Sequence, residues 1–236
     1  MFTIKIADLP IAIDNRYDWV FRMARDYLTD EEPVFTVSVS DEEIEAERRA
    51  SNTDYPSAYY ESIVAYRHIA EKMPEYNAFV FHGAIMENAD VAYAITANSG
   101  VGKTTHVSLW LTEFSDIKIL NGDKPLIRFI DGAPYVYGTP WQGKENYGHN
   151  GKKPLSAIVF LRRGEKNTAE KISPADAVMD FMTQIYLPKK SPVTLSKTMS
   201  LANKLIGGVK LVRLYCNMDP EAAHVCRAAL EEGTDK

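Results

Sequence analysis

Apolar residues along this chain recur in two rhythms, and the changes between them mark out the elements. Phe2, Ile4 and Ile6 alternate with polar neighbours and predict a strand over Phe2–Ile6. An amphipathic helix is expected near Tyr17–Leu28. A strand follows at Val34–Val39, where Phe35-Thr36-Val37-Ser38-Val39 keeps the period of two of a half-buried strand. Asp41–Pro56 is charged and then turn-rich, and reads as a flexible connector or an edge segment. From Ser57 to Lys72 the period lengthens, and Tyr59, Ile63, Tyr66 and Ile69–Ala70 form the apolar face of a helix. Asn77–Met86 reads as one strongly apolar strand interrupted by His82. Asn88-Ala89-Asp90 is a turn and Val91–Thr96 the returning strand. Ile117–Leu120 predicts a short strand ending at Asn121-Gly122-Asp123. Leu126–Ile130 and Tyr135–Tyr137 flank Asp131-Gly132 as a hairpin. Ala157–Leu161 is a buried strand. Helices are expected from Ser173, with Pro174 in the first turn, and over Leu195–Ile206. Strand Lys210–Tyr215 and a helix opened by Asp219-Pro220 close the chain. Strands interleaved with helices make this an α/β chain with a mixed sheet.

Composition narrows the class. The 236 residues, 45% of them apolar, can bury the core of one large domain or of one domain with an appended subdomain. A net charge of −5 lacks the basic balance left by nucleic-acid binding, so no nucleic-acid partner is expected. A local basic pocket for one anionic ligand remains compatible with it. No run approaches the roughly 18–20 apolar residues of a membrane span, and Met1–Pro10 lacks the basic-then-apolar order of a secretory leader. Cys216 and Cys226 are too few for a disulfide scaffold and read as reduced packing residues, so a cytoplasmic chain is expected.

One segment carries chemistry directly. Ala97-Asn98-Ser99-Gly100-Val101-Gly102-Lys103-Thr104-Thr105 matches the phosphate-binding P-loop, except that alanine stands for the first glycine. Gly100 and Gly102 permit backbone angles that turn several N–H groups toward one anion. The segment after it places Val107, Trp110 and Leu111 on one helical face, and a helix N-terminus favours phosphate. Ser99 to Thr105 are therefore the expected nucleotide contacts. Lys103 supplies charge to the β- and γ-phosphates, and Thr104 offers a hydroxyl to Mg²⁺. Asp123, 20 residues beyond Lys103 at a strand's carboxyl end, is the candidate for metal ligation, for general base work, or for both. His82, by pattern alone, reads as a core histidine with one satisfied hydrogen bond.

Taken together, Phe81-His82-Gly83-Ala84, a P-loop whose lysine lies 21 residues after the histidine, and a strand ending in an acid resemble the catalytic domain of HPr kinase/phosphatase. That domain is itself similar to the P-loop core of ATP-dependent phosphoenolpyruvate carboxykinase. Gly138-Thr139-Pro140-Trp141, followed by Gly143-Lys144-Glu145-Asn146, looks like the uncharacterised HPr-kinase-like branch. The resemblance runs from about residue 77 to 170. It implies a mixed-sheet P-loop domain at 76–236 with a small N-terminal α+β extension at 1–75. It places His82 in the active site, near phosphate or metal, beside Lys103 and Asp123 as catalytic residues, with Thr104 and Asp123 on the metal. Asp123 matches the second acid of an Asp-Asp pair, and Gly122 stands where the first would be. Thr139, Gln142, His149 and Asn150 belong to a polar loop in which Lys144, Glu145 and Asn146 are the substrate candidates. Arg162 or Arg163 is placed to reach a transferred phosphoryl group.

The function these readings imply is phosphoryl transfer from ATP, or another phosphate donor, with Mg²⁺, to a hydroxyl. The acceptor is a protein or peptide serine or a small-molecule alcohol. The resemblance also allows a homo-oligomer, since the related kinases assemble. The alternative is a nucleotide-binding module without turnover, with Gly122 as the trace of lost chemistry.

Overall fold

The computed structural model of the chain describes residues 1–232; the last four positions of the expected 76–236 unit lie outside them. The chain begins with β1 (Phe2–Ile6), β2 (Leu9–Asp14), α1 (Asp18–Met23) and β3 (Phe35–Ser38). These strands form a separate three-stranded sheet in the order β1-β2-β3, with β1 antiparallel and β3 parallel to β2. Two residues in the left-handed region, Ala7 at φ 51° and Asp8 at φ 57°, close the β1–β2 hairpin.

Asp41–Pro56, expected as a connector, instead opens with helix α2 (Asp41–Ala50). Ser40 caps it, accepting from the Glu43 N–H while the Glu43 side chain accepts from the Ser40 N–H. Three acids in the first turn and Arg48 and Arg49 in the last suit the helix dipole. Ile44 is its buried residue and packs with Tyr60, Val64 and Ala65 of α3 (Ser57–Lys72).

The expected strand at Asn77–Met86 is two strands, β4 (Ala78–Val80) and β5 (Ala84–Glu87), separated at Phe81-His82-Gly83. Then come β6 (Ala92–Thr96), α4 (Lys103–Glu113), β7 (Lys118–Asn121), β8 (Leu126–Ile130), β9 (Ala133–Tyr137) and β10 (Lys152–Arg163). The chain continues through β11 (Thr168–Lys171), α5 (Pro174–Met182), α6 (Pro192–Gly208), β12 (Lys210–Cys216) and α7 (Glu221–Glu231). Strand β10 joins two parts of one mixed sheet. Its start pairs antiparallel with β9, which leads through β8 to β4. Its remainder runs parallel to both β6 and β12. Strand β5 is antiparallel to β6 and β7 antiparallel to β5, so β6, β7, β10 and β12 all point the same way.

That part of the sheet is covered on both faces. Ala92, Ala94, Ile158 and Phe160 face a core with Phe181 of α5 and Leu201 and Leu205 of α6. Tyr93, Ile95, Val159 and Leu161 face Val107 and Trp110 of α4 and Ala223 and Cys226 of α7. Burial on both faces explains why these strands read as continuous apolar runs. A register shift between Leu155 and Ala157 puts these two residues, two apart, on opposite faces. The N-terminal sheet and α3 pack on β4, β8 and β9 through Tyr66, Ile69, Met73, Val80, Leu126 and Trp141. The two cysteines are free. Among the described residues no helix is long and apolar enough to cross a membrane.

Leu111, expected on the apolar face of α4, is 38% exposed, and His106 is buried instead. Trp110 Nε1 donates to His106 Nε2 at 2.9 Å, and the ring's Nδ1 has no hydrogen-bond partner among the described residues. Burial therefore brings the imidazole down from 6.5 to about 4. Between these values the unfolded chain binds the extra proton, so this contribution is intact above about pH 6.5 and lost as pH falls toward 4. The loss should reach on the order of 3 kcal/mol. Urea melts from pH 7.5 to 4.5 should show a steeper decline in the native chain than in His106→Gln. Parallel curves would contradict the assignment.

Candidate functional site

The parallel direction of β6, β7 and β10 brings their carboxyl ends to one edge of the sheet, and β5 begins there. Four chain segments therefore converge: residues 97–102 between β6 and α4, residues 122–124 after β7, His82 before β5, and the arginines ending β10. This is where open α/β sheets bind ligands.

The loop after β6 is shaped by its glycines. Gly100 has φ 78° and Gly102 φ 121°, angles that L side chains rarely adopt, and Gly102 is the N-cap of α4. Lys103, the first residue of α4, sends Nζ back across the edge, where it donates to the Gly122 carbonyl at 3.2 Å and lies 4.0 Å from Asp123 Oδ1. Burial lowers the lysine's pKa, and the Asp123 charge opposes only part of that.

Asp123 sits on a turn built by its neighbours. Asn121, fully buried, accepts from the Asp123 and Lys124 N–H groups at 2.9 and 2.8 Å. Its own amide donates to the carbonyl and hydroxyl of buried Thr139. Tyr66 donates to the Lys124 carbonyl at 2.7 Å and stacks on Trp141, with centroids 4.1 Å apart. The carboxylate is thus held from behind and faces a histidine and two lysines in front. His82 Nε2 is 3.3 Å from Oδ1, Lys103 is next to the same oxygen, and Lys124 Nζ donates to Oδ2. Burial alone would push the carboxyl up. The hydrogen bonds from His82 and Lys124 and the charges of Lys124 and Lys103 pull harder, and hold it well below the usual carboxylate range.

His82 is not a core residue: its side chain is 44% exposed, and its carbonyl accepts from Thr96 Oγ1 at 2.8 Å. Its N–H donates to the Gln184 carbonyl at 2.6 Å. Gln184 is a buried residue of the α5–α6 connection, and no sequence motif announces it.

The polar loop closes the site from above. Lys144, Glu145 and Asn146 join His82, Ser99, Gly100, Gly102, Lys103, Thr104 and Asp123 in lining one cavity of about 860 Å³. Val101 and Thr105 do not line it. Val101 packs toward the core between the sheet and α4, and Thr105 is exposed on α4. Gln142 also lines it, whereas His149 pairs with Glu87 and Asn150 donates to the Asp26 carbonyl. The two arginines separate: Arg162 pairs with Asp180 at 2.5 Å, while Arg163 donates to the Gly100 carbonyl of the loop itself. Among the described residues no three His, Cys, Asp or Glu side chains gather as a metal cage. The oxygen donors suited to a hard cation in this cavity include the Thr104 hydroxyl and the carboxylates of Asp123 and Glu145.

Gly122 has a steric reason. A Cβ there would lie 2.7 Å from the Gln142 carbonyl oxygen and 3.2 Å from that of Tyr147, so the polar loop occupies the space an acid would need. That loop also brings Glu145 beside Lys103, Thr104 and Gly122. Gly122→Asp should therefore cost about 1–3 kcal/mol by overpacking. Urea denaturation measures it, and an unchanged midpoint would show that residues 142–147 yield without cost.

No family model matches this chain, and no curated protein matches it. Among solved structures it is similar to the Hpr(Ser) kinase/phosphatase from Coxiella burnetii, with a TM-score of 0.35 and 7% identity over 63% of this chain and 94% of that one. At that degree of overlap the likeness identifies neither the fold nor the reaction.

Proposed function

We propose that the chain is a phosphotransferase that moves a phosphoryl group from ATP to a hydroxyl. The observation that carries this reading is the meeting of the 97–104 loop, Lys103 and Asp123 in one cavity. The loop N–H groups and the α4 N-terminus take the β-phosphate as a P-loop does. Lys103 leaves the Gly122 carbonyl for the phosphate oxygens, a charge-assisted bond stronger than the one it gives up. Thr104 and Asp123 would hold Mg²⁺, which when bound neutralises charge on the β- and γ-phosphates.

Asp123 orients the acceptor hydroxyl and takes its proton. With Lys103 and Lys124 both beside it, the carboxylate is a weak base. A bound polyphosphate that draws these lysines away would raise its basicity, and Mg²⁺ on the same carboxylate would lower it. His82 supports the carboxylate, and Lys144 and Asn146 contact the substrate from the loop. Gly122 favours a second reading, a nucleotide-binding module without turnover, because the first acid of the expected pair is missing.

Labelled ATP with Mg²⁺ and a panel of hydroxyl acceptors separates the two. Phosphotransfer predicts an acceptor that carries the γ-label. Tight Mg²⁺-ATP binding without label transfer to any of a wide panel would favour the binding module.

A further inference from the structure

The cavity has two unlike ends. One is polar, made by the 97–104 loop, His82 and Asp123. The other is apolar and comes from the N-terminal segment: Trp19 and Met23 of α1, Tyr59 and Ile63 of α3. Trp19 packs edge-on against Tyr59, with centroids 6.4 Å apart and planes at 89°, and still keeps 38% of its surface exposed.

This apolar wall is anchored. Glu61 of α3, 1% exposed, accepts the N–H groups of Arg16 and Tyr17 at 2.5 and 3.1 Å. These two residues lead into α1, so the place of Trp19 is set by α3 rather than by the six residues of α1 alone. The wall also adjoins the acid: Tyr66, farther along α3 and lining the same cavity, donates to the carbonyl of Lys124, the residue next to Asp123. The phosphate donor would occupy the 97–104 loop, so the side beside Asp123 falls to the acceptor.

We propose that the N-terminal segment builds the acceptor subsite, and that the acceptor is a small alcohol with an aromatic or branched aliphatic body lying against Trp19, Met23, Tyr59 and Ile63. This rests on the phosphotransfer reading. The cavity volume of about 860 Å³ is in the usual range for small molecules. A polyol or free serine would leave the apolar wall uncovered. In the transfer, the acceptor oxygen bonds to the γ-phosphorus as the bond from that phosphorus to the β–γ bridging oxygen breaks. The hydroxyl proton passes to Asp123, and the products are a phosphate monoester and ADP.

The test uses the full chain with Mg²⁺-ATP and four acceptors: 2-phenylethanol, glycerol, L-serine and a small serine-bearing carrier protein. ATP affinity is measured calorimetrically in the same samples, and 2-phenylethanol binding by tryptophan fluorescence. The expected result is a preference for 2-phenylethanol of about tenfold or more in kcat/KM, the scale of one aromatic contact. Trp19→Ala and Ile63→Ser should raise its KM by a similar factor, with the ATP KM moving less than about twofold. A rise in ATP KM instead would make the wall a base platform and overturn the proposal. So would equal use of L-serine, or use of the carrier protein untouched by either variant. If another acceptor takes the γ-phosphoryl group but 2-phenylethanol neither reacts preferentially nor changes the fluorescence, the acceptor wall fails and the phosphotransfer reading stands. If ATP does not bind at all, the phosphotransfer reading fails and takes the acceptor role with it.

Discussion

Asp123→Asn should lose transfer even at saturating Mg²⁺ and ATP, with kcat down by about two to four orders of magnitude, the range of a positioned general base. The amide has the shape of the carboxylate, and the turn that carries it rests on Asn121 and Thr139 rather than on its own side chain. What it removes is the charge faced by Lys103 and Lys124 and the oxygen that takes a proton. The folded chain should also be less stable at neutral pH, because a carboxyl held below its ordinary pKa contributes stability above that pKa. In the native chain that contribution is lost as pH falls through the acid range, and in the variant it is absent at every pH. Single-turnover rates with saturating ATP measure the chemical effect. A variant that turns over within a few-fold of the native chain would remove Asp123 from the base role.

Lys103→Ala should weaken ATP and pyrophosphate together by about one to two orders of magnitude, since hydrogen bonds from a charged donor contribute about 1.5–3 kcal/mol. AMP, which lacks the β- and γ-phosphates, should bind the variant and the native chain alike. The fold should survive, because the ammonium's hydrogen bond within the protein is to one carbonyl oxygen, that of Gly122, and Asp123 keeps His82 and Lys124. Calorimetric titration of the three ligands checks the pattern. Equal loss of AMP and pyrophosphate affinity would mean that the loop is broken rather than uncharged.

What the sequence discloses follows from how local each signal is. The β8–β9 hairpin is legible because Asp131-Gly132 occupies the left-handed positions of a tight turn. The β1–β2 hairpin uses the same region at Ala7 and Asp8, without glycine, and so β2 carries no turn signal before it. Helix α2 escapes a reading of pattern although Ser40 and Glu43 hold the capping spacing, because Ile44 is its one large apolar residue and gives its run no stripe. Strands β4 and β5 merge into one because burial of both removes the alternation that would show the break at His82.

The candidate site divides in the same way. Gly100, Gly102, Lys103 and Asp123 are spaced by one strand–loop–helix unit, so their grouping can be read along the chain. Asn121 and Thr139 pair across 18 positions, whereas Gln184 meets His82 from the α5–α6 connection and Trp19 reaches the cavity from the first helix. No spacing rule joins such residues; the sheet does. The glycine at 122 marks a missing acid in sequence, and in space it marks the passage of the 142–147 loop.

The most direct measurement is the melting temperature of the native chain with Mg²⁺ alone and with added ATP, pyrophosphate, AMP or glycerol. A polyphosphate cradle at 97–104 predicts that ATP and pyrophosphate, at about 100 times Kd, stabilise the fold by about 2.7 kcal/mol. At about 2–4 °C per kcal/mol for a chain of this size, the melting point should rise by roughly 5–10 °C. AMP should shift it less and glycerol not at all. A melting point unmoved by ATP and pyrophosphate at millimolar concentration would contradict the phosphate site, and with it the transfer built on it.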